Sequence, residues 1–266
     1  MLLLFFLIAF LVAWSLFIGA SLLADRSGFS TLAELMVFLG AISPGLVAIA
    51  MTAASRGREG VKQLVSKISF NNPGAGWYIF ALTFIALIKG LAALVFFVIY
   101  HTWPPFGTTP WYMMLAALAV STWVQAGEEI GWRGYALPLM SKKFGLALSG
   151  VLLGIIWAAW HLPLFYLAAA DTFNQSFPLY LMQVTGLSVI MAWLLWKVKG
   201  NLLPLMVFHA AINNTKDIVP SLSEKSASPF NFNASPIGWI TVVLIWIVAS
   251  YVLYAMTRKP AAKLPS

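Results

Sequence analysis

No cysteine occurs in the chain, which excludes disulfides, thiolate metal sites and a cysteine nucleophile together. Charge is nearly as scarce: Asp, Glu, Lys and Arg make up 9% of the 266 residues, against 61% that are hydrophobic. Soluble domains carry about a quarter of their residues charged, so the mean hydropathy of +0.87 marks an integral membrane protein. Acids are the scarcer sign, 8 against 16 Lys and Arg. In a soluble chain a net charge of +8 would suggest nucleic acid. Here the cations fall in short gaps between apolar runs, which is the pattern of membrane topology, and no nucleic-acid partner is expected. Histidine is also rare, with three in all, so each His inside an apolar run needs a reason.

A membrane span needs about 20 mostly apolar residues, and eight segments qualify, at roughly 2–24, 33–54, 77–100, 113–140, 146–169, 177–196, 202–216 and 236–257. The first lacks a basic leader and is too long for a signal-peptide core, so it is expected to be a retained helix. Alternate gaps differ in charge. One side holds Arg56, Arg58, Lys62 and Lys67, then Lys142 and Lys143, Lys197 and Lys199, and Arg258, Lys259 and Lys263. The other sets Arg26, Lys216 and Lys225 against Asp25, Glu34, Asp171, Asp217 and Glu224. Cytoplasmic loops are the basic ones, so an all-α polytopic fold with both termini in the cytoplasm is expected. Residues 1–266 read as a single transmembrane domain without repeats, with an amphipathic surface helix within 55–76 and a polar outer loop at 217–235.

Ionisable groups inside a span cost roughly 2.5–3.5 kcal/mol each on insertion scales and are functional candidates by default. Those present are Lys89, then Glu128, Glu129 and Arg133 in "VQAGEEIGWRGY", His161, and His209 with Asn213 and Asn214. His101 lies at an outer helix end and is read as incidental, and Lys89 as a snorkelling or ion-paired lysine. Helical phase sorts the acids. Glu129 and Arg133 are four residues apart and share a face, whereas Glu128 points about 100° away. Gly127, Gly131 and Gly134 flank them in a spacing that serves close helix packing or leaves room for a substrate backbone. Positions 128 and 161 are equidistant from Phe144–Gly145, the expected turn between the fourth and fifth spans, about 24 Å along each helix. Glu128 and His161 should therefore face each other, and His209 and Asn213, one turn apart, can reach a comparable level.

Four such groups suit hydrolysis. A desolvated carboxylate can act as general base on water with an imidazole sharing the proton, while a second His and an Asn donate to an oxyanion. Glu128, His161 and His209 are equally a set of three metal ligands with an open fourth position, as in catalytic zinc sites. Spacing alone does not choose between the two.

"EEIGWRG", "WAAWHLPLF" and "HAAIN" resemble, in order, the EExxxR, FxxxH and HxxxN motifs of the CPBP intramembrane proteases, the CAAX-protease and bacteriocin-processing (Abi) family. They place the motif-bearing core at about 113–216. Trp157 stands where many members carry Phe, an aromatic exchange that puts little in doubt, and "ISPGLVAIAM" is similar to a proline-containing segment common in the family. The resemblance implies that Glu128 and His161 activate water, that His209 and Asn213 form an oxyanion hole, and that Glu129, Arg133 and Trp157 support them. It also implies no required cofactor, with a divalent metal such as zinc as the alternative. The substrate it implies is a membrane-associated protein or peptide, cut at a site open to the cytoplasm. The motifs look most like the bacterial branch, which implies a multi-pass plasma-membrane location. A non-catalytic scaffold or bacteriocin self-immunity protein on the same fold is the rival reading. A proton-relay transporter would require inverted halves with paired broken helices, and no such symmetry is visible in the sequence.

Overall fold

A computed structural model describes residues 1–24, 30–71, 73–215, 228–232 and 235–258, and its regular elements there are all helical. They are α1 (Leu2–Ala24), α2 (Ser30–Val65), α3 (Ala75–Tyr100), α4 (Trp111–Val124), α5 (Ala126–Glu129), a π-helical turn (Ile130–Ala136), α6 (Leu137–Phe144), α7 (Leu146–Trp160), a 3-10 turn (Leu162–Tyr166), α8 (Phe177–Lys197), α9 (Leu203–Asn214) and α10 (Pro236–Thr257). Of the charges used above to orient the chain, Asp25, Arg26, Lys216, Asp217, Glu224, Lys225, Lys259 and Lys263 lie outside the described residues, as does most of 217–235.

Burial is inverted relative to a water-soluble bundle. In α1 only Phe5, Ala9, Ala13, Phe17 and Ala20 are fully buried, while Leu3, Leu7, Leu11 and Leu22 are exposed on the outside. Side chains of that kind face lipid, and the small residues of the inner stripe let helices approach closely. Six helical stretches are long and apolar enough to cross a membrane, and the chain is a polytopic membrane protein. The two expected spans that fall short are those that carry Glu128 and His209. The fourth is divided among α4, α5, the π turn and α6, and the seventh contains only the 12 residues of α9. Irregular and short segments persist at membrane depth when protein surrounds them. Every residue of the π turn is buried, as is most of α9.

Boundaries follow local chemistry. Gly145, at φ 73°, makes the expected turn between α6 and α7. The fifth span is shorter than its apolar run, because Pro163 cannot continue an α-helix; α7 ends at Trp160 and leaves His161 at its C-cap. The basic stretch after residue 54 carries the expected surface helix, a helical segment that ends at Val65 with Gly60 and Leu64 buried and its other face largely exposed. It is set off from the spanning part of α2 by a kink at Gly57, whose φ of 63° and ψ of −162° suit glycine. Lys89 does not snorkel outward but is buried on the packed face of α3 beside Ile85, Ile88 and Ala92. His101 is exposed at the left-handed C-cap of α3.

The basic gaps meet at one end of the bundle. The Leu202 N–H donates to Lys67 O at 2.8 Å, Asn201 Nδ2 to Ser69 O at 2.8 Å and Lys67 Nζ to Gly134 O at 2.8 Å. The Phe5 ring lies 5.0 Å from Tyr135, which puts the start of α1 at this end. Phe177 N donates to Pro229 O and Trp246 Nε1 to Met182 O, so α10 runs parallel to α8 and finishes there too. By the charge rule this is the cytoplasmic end.

The glycines beside the acids pack against α2. A Cβ on Gly127 would lie 2.6 Å from Ile42 Cβ, and one on Gly131 would lie 2.5 Å from the Pro44 carbonyl carbon. Gly131→Ala should therefore force α2 off the π turn and destabilise the protein by about 1–3 kcal/mol, the usual cost of overpacking. Thermal unfolding in detergent measures this, and an unchanged transition would show that α2 moves freely.

Candidate active site

Trp157 organises the polar cluster. One turn before the end of α7, its indole Nε1–H donates to Glu128 Oε2 at 2.7 Å, and its carbonyl accepts from His161 Nδ1 at 2.8 Å. The Arg133 guanidinium carbon lies 4.0 Å above its ring, a cation–π contact. The His209 ring meets the same indole edge-on at 5.1 Å. An apolar helix thus brings the three sequence blocks together through one side chain. Phenylalanine could supply the ring but not the N–H, so the exchange at this position has more consequence than aromatic character alone suggests.

The two carboxylates have different surroundings, along the division that helical phase predicts. Glu129 Oε1 accepts from Arg133 Nη1 at 3.0 Å and from His209 Nδ1 at 2.9 Å, and Glu129 and Arg133 are both 0% exposed. Glu128 is 7% exposed, and Oε2 bonds the indole. Its Oε1 has no hydrogen-bond partner among the described residues. The bond to Glu128 comes from Trp157, one turn before His161, and not from His161, which the equal-count register had set opposite Glu128.

Hydrogen-bond direction assigns the imidazole protons. A carbonyl only accepts, so His161 carries its proton on Nδ1 and leaves the Nε2 lone pair free. His209 donates from Nδ1 to a carboxylate, so its Nε2 can donate only when the ring is the imidazolium. His209 is joined to Glu129 and not to Glu128, a pairing the sequence did not indicate. Asn213, one turn further along α9, is exposed and makes no hydrogen bond among the described residues, whereas Asn214 Nδ2 donates back to Ala210 O at 2.8 Å.

Tyr180 of α8 is a site neighbour that sequence reasoning missed. Its ring packs edge-on to His161 at 5.5 Å. A tyrosine near the start of an apolar span reads as an interface anchor, which hid it. Together, Trp157, Trp160 and Tyr180 fix the plane of the His161 ring.

The side chains that would hold a metal ion here are Glu128, His161 and His209. Among the described residues no three His, Asp or Glu side chains converge as a metal-holding group. Glu128 Oε2 and His209 Nδ1 are moreover engaged by Trp157 and Glu129.

Trp157→Phe should keep the ring contacts and lose only the N–H bond to Glu128, lowering turnover about tenfold with little change in KM, the scale of one hydrogen bond to a charged group. Steady-state kinetics on a membrane-tethered peptide checks this, and an unchanged kcat would remove the indole N–H from the account.

Residues 109–215, which run from just before α4 to just past α9, match the family model described as type II CAAX prenyl endopeptidase Rce1-like. A CAAX prenyl protease 2 from Methanococcus maripaludis is 23% identical over 232 residues, which cover 81% of this chain and 84% of that protein. Glu128, His161, His209 and Asn213 all fall within the matched stretch.

Proposed function

We propose that this chain, whose residues 109–215 match the CAAX endopeptidase model, is a membrane-embedded protease of that kind and cuts peptide bonds of membrane-associated proteins or peptides with a water molecule activated by Glu128 and His161. The supporting observation is the unequal treatment of the adjacent acids. Glu129 is fully buried and ion-paired through Oε1 to both Arg133 and His209, with Oε2 enclosed, while Glu128 makes no ion pair, retains some exposure and is bonded only to the Trp157 indole.

In this reading water binds between Glu128 Oε1 and His161 Nε2. Glu128 takes a proton as the water oxygen bonds to the scissile carbonyl carbon. His161 accepts the second water proton in a hydrogen bond, which its Nδ1–H tautomer leaves it free to do. The carbonyl oxygen becomes an oxyanion within reach of His209 Nε2 and the Asn213 amide, and His209 serves as donor in its imidazolium form. Collapse breaks the C–N bond, and Glu128 returns its proton to the leaving amine. Glu129 contributes by holding His209 through Nδ1, and Arg133 by holding Glu129.

The proposed reaction uses no metal ion: it gives Glu128 Oε1 and the His161 Nε2 lone pair to water, and His209 is held by Glu129 through Nδ1. Chelation of the purified, reconstituted protein should leave the rate within about twofold, far from the tenfold that 1.4 kcal/mol of barrier would bring. Loss on chelation with recovery on zinc would replace the mechanism by a metal-assisted one that uses Glu128, His161 and His209.

Reconstitution with a library of membrane-tethered peptides, including prenylated peptides ending in CAAX, tests the activity itself. Mass spectrometry should find paired fragments from a single internal cut. Peptide that binds and is recovered intact across the library would favour the scaffold or immunity reading.

A further inference from the structure

A second polar feature lies at the basic end of the bundle and shares Arg133 with the candidate active site. It is a cavity of about 330 Å³ lined by Arg56, Gln63, Lys67, Arg133, Lys142 and Lys199, among others. Five of these are cations, and no Asp or Glu contributes to the lining. They come from α2, the turn after it, the π turn, α6 and the turn before α9, so folding alone assembles them.

Surface lysines spread over loops are ordinary for a cytoplasmic face. Cations gathered from five segments around one hollow, of which only Arg133 is paired with a carboxylate, are not. Lys142, Lys199 and Arg56 are exposed at the mouth, Lys67 is half-buried, and Arg133 is fully buried at the floor. Only Nη1 of Arg133 is bonded to Glu129; its Nε and Nη2 are buried without a hydrogen-bond partner. Burial, and the Arg56 and Lys142 charges close by, hold the Lys67 ammonium below the ordinary lysine range, so the cations repel one another. A buried guanidinium with unused donors and a ring of unpaired cations is complementary to an anion with several oxygens.

We propose that this cavity binds the phosphate of an anionic phospholipid headgroup at the cytoplasmic surface. The depth is right, because the basic turns of a membrane protein lie at headgroup level, where each Lys or Arg near the surface adds to attraction for anionic lipid. The volume is at the small end of ligand pockets, enough for a glycerophosphate. A carboxylate would offer two oxygens and one charge to five cations. A phosphate offers more of each. The site does not depend on the proteolytic reading.

The test uses the purified full chain in bilayer discs of phosphatidylcholine doped with phosphatidic acid, and native mass spectrometry reads which lipid stays bound. Wild type should retain phosphatidic acid over phosphatidylcholine. Lys142→Gln combined with Lys199→Gln, two exposed changes outside the candidate active site, should weaken that retention about 25-fold, at roughly fivefold per removed cation. Lys62→Gln, on α2 but outside the cavity lining, should leave it unchanged. Inorganic phosphate should displace the lipid, and acetate at equal ionic strength should not. Equal retention by wild type and the double variant overturns the site, as does an equal loss with Lys62→Gln, which would report surface charge alone. Displacement by acetate and not by phosphate would overturn the phosphate assignment.

Discussion

Glu128→Gln is expected to lower kcat for a tethered peptide about 1,000-fold while the protein folds and melts as wild type, since a positioned general base contributes on the order of 10² to 10⁴. The substitution isolates the proton-accepting role. Glutamine keeps the size of the side chain, and its amide oxygen can still accept the Trp157 indole N–H that holds Glu128 Oε2 at 2.7 Å. No charge is stranded by the change, because Arg133 and His209 are paired to Glu129 instead. Initial rates of the reconstituted variant, with a thermal melt of the same preparation, separate chemistry from folding. Cleavage by Glu128→Gln at the wild-type rate would end the assignment of Glu128 as the base.

Glu129→Ala is expected to act on stability, costing about 3–5 kcal/mol, the range for removing one partner of a buried ion pair. It leaves the Arg133 guanidinium, which cannot shed its proton, 0% exposed and without its carboxylate. Arg133→Ala should cost less, because Glu129 then keeps His209 as a partner at 2.9 Å and either group can adjust its protonation. Combining Glu129→Gln with Arg133→Met removes both charges and should recover most of the loss. Unfolding in mild detergent with increasing denaturant measures the series. A Glu129→Ala protein as stable as wild type, with activity lost as for Glu128→Gln, would exchange the roles of the two acids.

The contrast between neighbouring residues was legible in the sequence because helical phase depends only on spacing: 129 and 133 share a face and 128 does not. The hairpin turn was legible at Gly145, but its register was not: equal counts set 128 opposite 161, whereas the bond to Glu128 comes from Trp157. What stayed hidden depends on rotation and packing. The seventh span carries His209 into contact with Glu129, but a helix that is apolar almost all round gives no sign of which way it faces. The indole bond to Glu128 depends on a side-chain rotamer, which residue type does not fix. Tyr180 reaches His161 only because the 3-10 turn after α7 and the first turns of α8 pack together, with Phe165 and Tyr180 ring centroids 5.1 Å apart. The convergence of Arg56, Lys67, Lys142 and Lys199 was visible as a charge bias between gaps and not as a cavity.

The π turn at Ile130–Ala136 has a consequence for chain length. A π turn behaves as an α-helix with one residue inserted. Deleting a single residue between Glu129 and Leu137 would restore an unbroken α-helix, and each residue in such a helix carries about 100° of rotation and 1.5 Å of rise. Glu128 would turn away from Trp157 although both residues remained in place. The site is therefore specified by a residue count as well as by residue identities, and this stretch should tolerate many conservative substitutions before it tolerates one insertion or deletion.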